Sequence, residues 1–235
     1  MHRGVAEALK RWLPRLGVRL SLVRALRYEA QMLRVRMRAA LSLSHRRRVH
    51  QLRRRRALKI NLGSGAVVLD GWVNVDAVPG RGVDLSLDLR RPLPFADGSA
   101  QFIFAEHILE HLEYPDEARH LLAECYRILA PGGVLRLAVP HGSRFLEAYL
   151  ACRSNFFALV SPEAATPMEA LNQVFRAGGA HKFTYDFETL RCLLEQAGFR
   201  HTVESAFGQS AYPELGVDLD LEHRREETLY VEAVK

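Results

Sequence analysis

Acidic side chains and a glycine-rich segment follow three successive apolar runs of the chain, a pattern suited to binding a nucleoside. The first run leads into Asn61–Leu62–Gly63–Ser64–Gly65, where glycines let the backbone approach a ligand and direct N–H groups at an anionic part of it. Asp76 ends the second run, where a carboxylate can accept both hydrogen bonds of a ribose diol. After the third run, Asp88 could accept a hydrogen bond from an adenine amino group while Leu89 offers its backbone N–H. The glycine loop alone is a weak signal. The prediction therefore depends on the fact that residues suited to ligand binding follow each of the successive apolar runs.

Three histidines are candidates for proton transfer, because histidine titrates near neutral pH. His107 follows Glu106 at the end of a fourth run, His141 ends a fifth, and His181 lies shortly before Asp186. A general base is needed only if the group that reacts must lose a proton. Asp186 itself is predicted to be a helix N-cap.

Neither a metal site nor a disulfide framework is predicted. The three cysteines, Cys125, Cys152 and Cys192, are scattered, and no CxxC pair is present. No apolar run approaches the ~18 residues that span a bilayer. Basic residues interrupt the first twenty positions, so no signal-peptide core is predicted either. A cytoplasmic location fits best.

The elements that position these residues alternate between short apolar runs and helical stretches from Ala57 onward. This alternation predicts a doubly wound α/β fold, with a mainly parallel sheet covered on both faces. The carboxyl ends of parallel strands meet at one edge of such a sheet, where α/β folds bind ligands. We predict strands at Lys59–Leu62, Trp72–Val75, Asp84–Leu87, Phe102–Ala105, Val134–Val139, His201–Ser205 and Thr228–Val234, and helices at Glu117–Leu129 and Phe187–Gln196.

Two connections in this scheme have unusual lengths. Leu62 and Trp72 are separated by nine residues, fewer than the dozen or so expected for a parallel crossover. A rudimentary helix, a single turn, is therefore predicted there. The segment 142–180 is instead too long for a simple connection and is rich in aromatic residues. It is predicted to be a helical excursion with a packed apolar face, or a lid over the reacting group.

The charge of the chain is divided sharply at Arg56–Ala57. Residues 1–56 contain 17 basic residues against Glu7 and Glu29, a net charge of +15, while 57–235 contain 16 basic and 25 acidic residues, a net charge of −9. This asymmetry predicts an Arg-rich helical arm (1–56) in front of the main domain (57–235).

The arm is predicted to contain a short helix with Trp12 and Leu13, then a longer amphipathic helix. Its apolar stripe has helical spacing and consists of Val23, Leu26, Ala30, Leu33, Met37 and Ala40. A charge of this size requires an acidic partner. An anionic membrane surface, nucleic acid, and the acidic domain of the same or a second subunit all remain open, as does simple packing of the stripe on the domain.

Several segments, in this order, cover most of 59–235 and carry a family resemblance: "INLGSG", "GWVNVD", "DLRRPLPFADGSAQFIFAEHILEHL", "ECYRILAPGGVLRLAVPH", "HKFTYDFETLRCLLEQAGF" and "ETLYVEAVK". The chain resembles the class I S-adenosylmethionine-dependent methyltransferases, most closely the type-11 branch often found beside glycan-synthesis genes. The resemblance implies a Rossmann-like seven-stranded sheet in the order 3-2-1-4-5-7-6, with the last strand antiparallel. It also implies S-adenosylmethionine as the cofactor.

The resemblance assigns roles at the strand ends. The glycines lie beside the methionine portion, Asp76 binds the ribose, the pair Asp88–Leu89 binds the adenine, and Glu106 closes the site. Two positions differ from the family pattern: Asn61 stands where many members have an acidic residue, and Ser64 stands where this branch often has a cysteine. The full set expected at the cofactor is Asn61, Gly63, Ser64, Gly65, Asp76, Asp88, Leu89 and Glu106.

Three functions follow from the sequence. The first is methyl transfer to a small molecule or glycan, at the inner membrane face if the arm binds lipid. The second is an RNA or protein methyltransferase that docks through the arm. The third is a non-catalytic binding protein that retains the fold. Strand four ends in Ala105–Glu106–His107–Ile108, which lacks the Asn/Asp-Pro-Pro-Tyr/Phe motif of base-amino methyltransferases, so base methylation is disfavoured.

Overall fold

The computed structural model describes Gly17 and residues 19–235. Two helices, α1 (Leu20–Leu41) and α2 (Leu43–Arg53), precede an α/β domain. The predicted short helix around Trp12 and Leu13 lies outside the described residues. Within the domain the strands are β1 (Leu58–Leu62), β2 (Val73–Asp76), β3 (Leu85–Ser86), β4 (Ala100–Glu106), β5 (Leu129–Pro140), β6 (His201–Ser205) and β7 (Thr228–Val234). The helices are α3 (Asp116–Ile128), α4 (Gly142–Leu150), α5 (Ser154–Val160), α6 (Pro167–Arg176), α7 (Phe187–Ala197) and α8 (Glu222–Glu227).

The seven strands form one sheet in the order β3-β2-β1-β4-β5-β7-β6. The first five are parallel, whereas β7 is antiparallel to both β5 and β6. This confirms the predicted fold. All seven predicted strands are present, with ends that differ by a few residues. The carboxyl ends of β1 to β5 therefore share one edge of the sheet.

The central strands bury side chains on both faces, with the larger core on the face packed by α2, α3 and α7 and a smaller cluster that includes Trp72 and Leu215 on the other. Ile60 on β1, Ile103 on β4 and Leu135 on β5 are fully buried, as expected for parallel strands without a solvent-facing side. Helix α2 also contributes to this core through Leu52, which has no exposed surface. The basic segment before the domain is thus packed against it.

No helix is assigned between β1 and β2: 63–71 consists of turns and irregular backbone, with one hydrogen-bonded turn in which the N–H of Val67 donates to the carbonyl of Ser64 (2.8 Å). Two buried asparagines replace the helix as partners for the loop backbone. Asn61 Nδ2 donates to the carbonyl of Val67 (3.1 Å), and Asn74 Nδ2 donates to that of Leu69 (3.1 Å). The N–H of Leu69 donates in turn to Asn74 Oδ1 (3.0 Å). Side-chain amides therefore allow a crossover too short for a helix.

The predicted apolar stripe of α1 does not pack on the domain. Leu26, Leu33 and Met37 are 61%, 52% and 53% exposed, while Met32 and Val35 are buried instead. The face of α1 that contains Met32 and Val35 is the one that packs on the domain. Charged residues on that side of the helix pair with polar groups of the domain. The contacts are Glu29 with Arg90, Arg36 with Asp88, and Arg24 with the carbonyl of Gly178.

The segment 142–180 contains α4, α5 and α6, which confirms the expected helical excursion. Its helices pack around a separate small core that includes Phe145, Phe157 and Leu171. Across the described residues, 17 and 19–235, no helix is long and apolar enough to cross a bilayer.

A buried ionic network ties β5 to the far edge of the sheet. Arg136 has a fully buried side chain and pairs with Asp218 (2.5 Å), itself fully buried, and with Glu232 (2.7 Å) on β7. Arg136 also donates to the carbonyls of Ala206 and Gln209. Each of its charge-bearing nitrogens thus has a partner, which offsets the cost of burying the ions.

Replacement of Arg136 with Met should therefore lower the free energy of unfolding by about 3–5 kcal/mol, because two carboxylates are left buried without a counter-ion. Urea denaturation followed by circular dichroism measures the loss. Arg191→Gln, which removes exposed ion pairs with Glu188 and Glu195, is the matched control and should leave the midpoint unchanged. Equal midpoints for wild type and Arg136→Met would contradict a structural role for the network.

Candidate functional site

The glycine loop after β1 is bound to the end of β2. The N–H groups of Gly63 and Ser64 both donate to the carbonyl of Val75 (2.8 and 3.0 Å). The N–H of Gly65 donates to Asp76 Oδ2 (2.8 Å). Hydrogen bonds thus bring together the loop and the carboxylate that the sequence placed at neighbouring strand ends.

Two positions of this loop require glycine for different reasons. Gly63 and Gly65 have φ angles of +70° and +52°, in the left-handed region that disfavours side chains. A Cβ at Gly63 would also lie 1.9 Å from Cγ1 of Ile108, whereas a Cβ at Gly65 would meet no atom within 4 Å. The backbone at Gly63 is therefore in close contact with the segment after β4, while Gly65 faces open space.

Asp76 is held in place by two hydrogen bonds, and its carboxylate can accept more. Its Oδ1 accepts from the N–H of Val78 (2.7 Å) and its Oδ2 from that of Gly65. A carboxylate has about four acceptor positions, and the residue is partly exposed. Asp76 can therefore still accept hydrogen bonds from a diol.

Asp88 lies next along the same edge, where the N–H of Leu87 donates to the carbonyl of Asp76 (3.1 Å). Its side chain is only 2% exposed and accepts from Arg90 Nε (2.9 Å). Burial by itself would raise the pKa of Asp88, but the hydrogen bonds from Arg90 lower it overall. Arg90 in turn pairs with Glu29 of α1 (2.6 Å). The arm is thus connected to the predicted adenine end through one guanidinium.

Of the remaining residues predicted at the cofactor, Asn61 is engaged elsewhere. Both amide hydrogens have acceptors, Val67 O and Asn74 Oδ1, so the side chain can offer a ligand only its carbonyl oxygen. Leu89 is buried immediately after Asp88.

Two predicted cofactor residues carry buried polar atoms that lack a partner in the described protein. They are the hydroxyl of Ser64 and Oε1 of Glu106. Burial is the main cause that raises the pKa of Glu106. Buried polar atoms nearly always have partners in folded proteins. An unpartnered hydroxyl in the glycine loop and an unpartnered carboxyl oxygen at the end of β4 fit a polar ligand at this edge.

A cleft of about 720 Å³ lies between α1 and the ends of β2 and β3. Its domain side includes Ala77, Val78 and Ser86, and its arm side includes Arg27, Arg34 and Arg38. The sequence analysis missed this role of the arm, because the residues that meet lie about 50 positions apart in the chain. The arginine content of 1–56 was the available signal.

His107 and His181 lie in one cluster at the end of β4. Nδ1 of His107 is 3.0 Å from Oε1 of Glu110, and its Nε2 contacts Arg224 and the hydroxyl of Thr228. Burial is the main cause that lowers the pKa of His107 and of His181. Both imidazoles are therefore neutral at pH 7. The sequence analysis missed Glu110 and Arg224; the three-residue spacing from His107 to Glu110 was a signal for the first.

His141 lies at the end of β5 in different surroundings. Its Nδ1 is 3.2 Å from the hydroxyl of Ser143, and burial lowers its pKa to about 4. The main charges that act on it are those of Arg144, Glu147 and Asp186, none of which belongs to the His107 cluster. Asp186 accepts from the N–H of Thr189 (2.8 Å) and caps α7, as predicted.

Residues 75–137, from the end of β2 through most of β5, match the family described as "Methyltransferase domain". The matched segment contains Asp76, Asp88 and Glu106. The match covers less than half of the chain, so it shows a likeness to a methyltransferase domain over that segment. No curated protein matches the chain.

Several solved structures resemble this one. An S-adenosylmethionine-dependent methyltransferase from Archaeoglobus fulgidus has a TM-score of 0.45 at 15% identity, covering 81% of this chain and 90% of that one. One from Thermotoga maritima has a TM-score of 0.49 at 20% identity, and the match covers 90% of this chain and 95% of that one. The 1,6-didemethyltoxoflavin-N1-methyltransferase of Burkholderia thailandensis, with bound 1,6-didemethyltoxoflavin and S-adenosylhomocysteine, has 0.46 at 12% identity, covering 92% and 88%.

The two glycines of the loop provide a matched pair of variants. Gly65→Ala should lower the free energy of unfolding by about 1 kcal/mol, the cost of a side chain in the left-handed region. Gly63→Ala should cost clearly more, because the methyl group also collides with Ile108. Thermal denaturation of both variants gives the comparison. If Gly65→Ala loses as much stability as Gly63→Ala, or more, the close approach of the loop to Ile108 would be refuted.

Two buried groups at this edge should make stability depend on pH in opposite directions. The pKa of His141 is lowered from 6.5 to about 4, so its stabilising contribution is present above pH 6.5 and is lost as the pH falls toward 4. Burial raises the pKa of Glu227 from 4.5 to about 7, so its contribution is present at low pH and is lost as the pH rises through 7.

We define D as the free energy of unfolding at pH 7.5 minus that at pH 5. His141→Gln should decrease D and Glu227→Gln should increase it, each by about 2 kcal/mol. Urea titrations at the two pH values measure D. Changes of the same sign in the two variants would contradict the neutral state of both groups.

Proposed function

We propose that the chain transfers a methyl group from S-adenosylmethionine to a small molecule or glycan bound at the carboxyl edge of the sheet. One observation carries the proposal: the glycine loop is hydrogen-bonded to Asp76, with Asp88 at the neighbouring strand end. The family match covers both carboxylates. A glycan acceptor is supported only by the resemblance of the sequence to a branch associated with glycan synthesis.

In this proposal, each predicted residue binds one part of the cofactor. The loop from Gly63 to Gly65 lies beside the methionine portion, Asp76 accepts from the ribose diol, and Glu106 closes the site with its unpartnered oxygen. Asp88 and the N–H of Leu89 bind the adenine. The cofactor supplies a methyl group on a positively charged sulfonium, which is already a good leaving group. The protein therefore contributes mainly by holding the two reactants in line.

The acceptor would bind beside the cluster at the end of β4. His107 and His181 are neutral there, and a neutral imidazole can accept a proton from a hydroxyl acceptor. Arg224 contacts Nε2 of His107 and would have to move for that nitrogen to act as a base. His141, with a pKa of about 4, is a weaker base at neutral pH. The helices of 142–180 adjoin this region, and a lid role for them belongs to the same proposal.

The exposed face of α1 favours an anionic membrane surface as a partner over nucleic acid. Leu22, Leu26, Leu33 and Met37 lie along one helix face and are each more than half exposed. An apolar stripe flanked by arginines is typical of helices that lie in a membrane interface. Nucleic-acid backbones require the positive charge but offer nothing to the leucines. A helix–helix homodimer through the same stripe remains the competing arrangement.

Cofactor binding is tested by calorimetry with S-adenosylmethionine. Wild type should bind, and Asp76→Ala should bind about 10- to 100-fold more weakly, because the hydrogen bonds of a carboxylate are lost. Asp70→Ala, which changes an exposed carboxylate of the preceding loop, is the control and should bind as wild type. An absence of binding at millimolar cofactor would favour the non-catalytic alternative. A screen of glycan and lipid-linked acceptors then tests the transfer itself.

Membrane docking is tested by sedimentation with anionic vesicles. Leu26→Glu and Leu33→Glu should reduce the bound fraction, because each places a charge within the apolar stripe. Leu150→Glu is the matched control, since Leu150 is 82% exposed but lies on α4. Equal sedimentation of all variants would reject the stripe as the contact. If RNA displaces the protein from the vesicles and shifts with it in a gel, nucleic acid would be favoured as the partner. If the wild type is a dimer and Leu33→Glu is a monomer, the homodimer would be favoured.

A further inference from the structure

Glu110, His111 and His181 converge on one point at the end of β4. One ligand atom from each residue lies within 4.8 Å of the others. Glu110 and His111 belong to a short 3-10 helix, Leu109–His111. His181 is held beside them by the backbone, because the N–H of Lys182 donates to the carbonyl of Glu110 (2.7 Å). The arrangement is therefore built by the fold rather than by mobile side chains.

Both imidazoles have the same orientation toward the backbone. Nδ1 of His111 lies 3.2 Å from the carbonyl of Ala180, and Nδ1 of His181 contacts the carbonyl of Val174. A carbonyl accepts only, so each Nδ1 carries the proton and each Nε2 retains its lone pair. Histidines that bind metal ions are usually fixed in this way, by a second-shell carbonyl on the other ring nitrogen.

The carboxylate of Glu110 is buried without an adequate partner. Its side chain is 1% exposed, and neither oxygen has an aligned hydrogen bond among the described residues. Nδ1 of His107 lies 3.0 Å from Oε1, which is close enough to orient that oxygen, but the geometry is poor. Arg224 contacts the opposite nitrogen of His107 and pairs with Glu227 (3.3 Å). Within the part of the chain that the structure describes, Oε2 of Glu110 thus has neither a hydrogen-bond partner nor an ion pair.

We infer that Glu110, His111 and His181 form a binding site for a divalent transition-metal ion. Two imidazoles and one carboxylate make a set that suits zinc with an open position, and also cobalt and iron(II). Ligand atoms about 2.1 Å from a tetrahedral zinc ion lie about 3.4 Å apart, so the side chains close by about an ångström on binding. His107 then orients the carboxylate from the second shell.

The principal alternative is that Glu110 serves only to hold His107. That arrangement accounts for the short distance between Oε1 and His107, but it leaves Oε2 without a partner. It also gives no reason for two further imidazoles, each with its Nδ1 on a backbone carbonyl, to lie beside the same carboxylate. A metal ion would bind one carboxylate oxygen of Glu110 and one nitrogen of each imidazole together.

The inference deepens the proposed function, because the cluster lies on the side where the acceptor would bind. A metal ion held by three protein ligands keeps coordination positions open. Those positions can bind an oxygen of the acceptor and orient it. With its lone pair on the metal ion, His181 no longer serves as a base, and His107 is left in that role. The substrate class indicated is therefore one with a metal-binding hydroxyl, carboxylate or phosphate oxygen.

Cobalt(II) tests the site directly, because its visible absorption reports the ligands. Untagged full-length protein, stripped with a chelator, should bind one equivalent and develop the intense bands of a low-coordinate site. His181→Gln and Glu110→Gln should bind about 100-fold more weakly, and His107→Gln about 10-fold, as expected for a ligand against a second-shell residue. His201→Gln, an exposed histidine on β6, should bind as wild type.

Two results would overturn the inference: no saturable cobalt uptake by the wild type, or wild-type affinity in His181→Gln. Circular dichroism verifies folding, and His181→Gln decides the question if Glu110→Gln does not fold. Calorimetry with S-adenosylmethionine on metal-free protein keeps the two proposals separate. Cofactor binding without cobalt binding rejects the metal site alone. Cobalt binding without cofactor binding rejects the proposed function and leaves the metal site in place.

Discussion

Parallel pairing of β1 with both β2 and β4 is the constraint on which the rest of the structure depends. It brings the ends of strands that are far apart in sequence to one edge. It also forces the chain to leave β1 through a loop whose N–H groups need partners. Val75 and Asp76 at the end of β2 provide them. The same hydrogen bonds that complete the fold therefore position a carboxylate beside the glycine loop, so the site is a consequence of the way the sheet is terminated.

The basic arm is coupled to this edge through charge. Arg90 bridges Asp88 of the domain and Glu29 of α1, and Arg36 approaches the same aspartate. A ligand that binds at Asp88 must share that carboxylate with two guanidinium groups. Occupancy of the site and docking of the arm are therefore linked physically. The same docking turns the leucines of α1 outward, which leaves an apolar stripe free for an external surface.

The end of β4 has different electrostatics. Its histidines are neutral because burial lowers the pKa of each, while Glu110 stays ionised with the help of His107. The end of β4 thus holds neutral imidazoles and a buried carboxylate, with Arg224 beside His107, whereas the ends of β2 and β3 face the arginines of α1.

The sequence by itself determined the strands, roughly where each one ends, and the carboxylates that follow them, because period, length and motif spacing are local properties. It predicted Asp186 as a cap for the same reason. The sheet order was implied only by the family resemblance, since the order of strands in a sheet is not a local property. Tertiary structure decided which face of α1 is buried, since that depends on Arg90 and Asp88, more than fifty residues away. It also decided that Asn61 supports a loop, and that Glu110, His111 and His181 converge. Such contacts join segments with no local pattern in common, so only the packed chain brings them together.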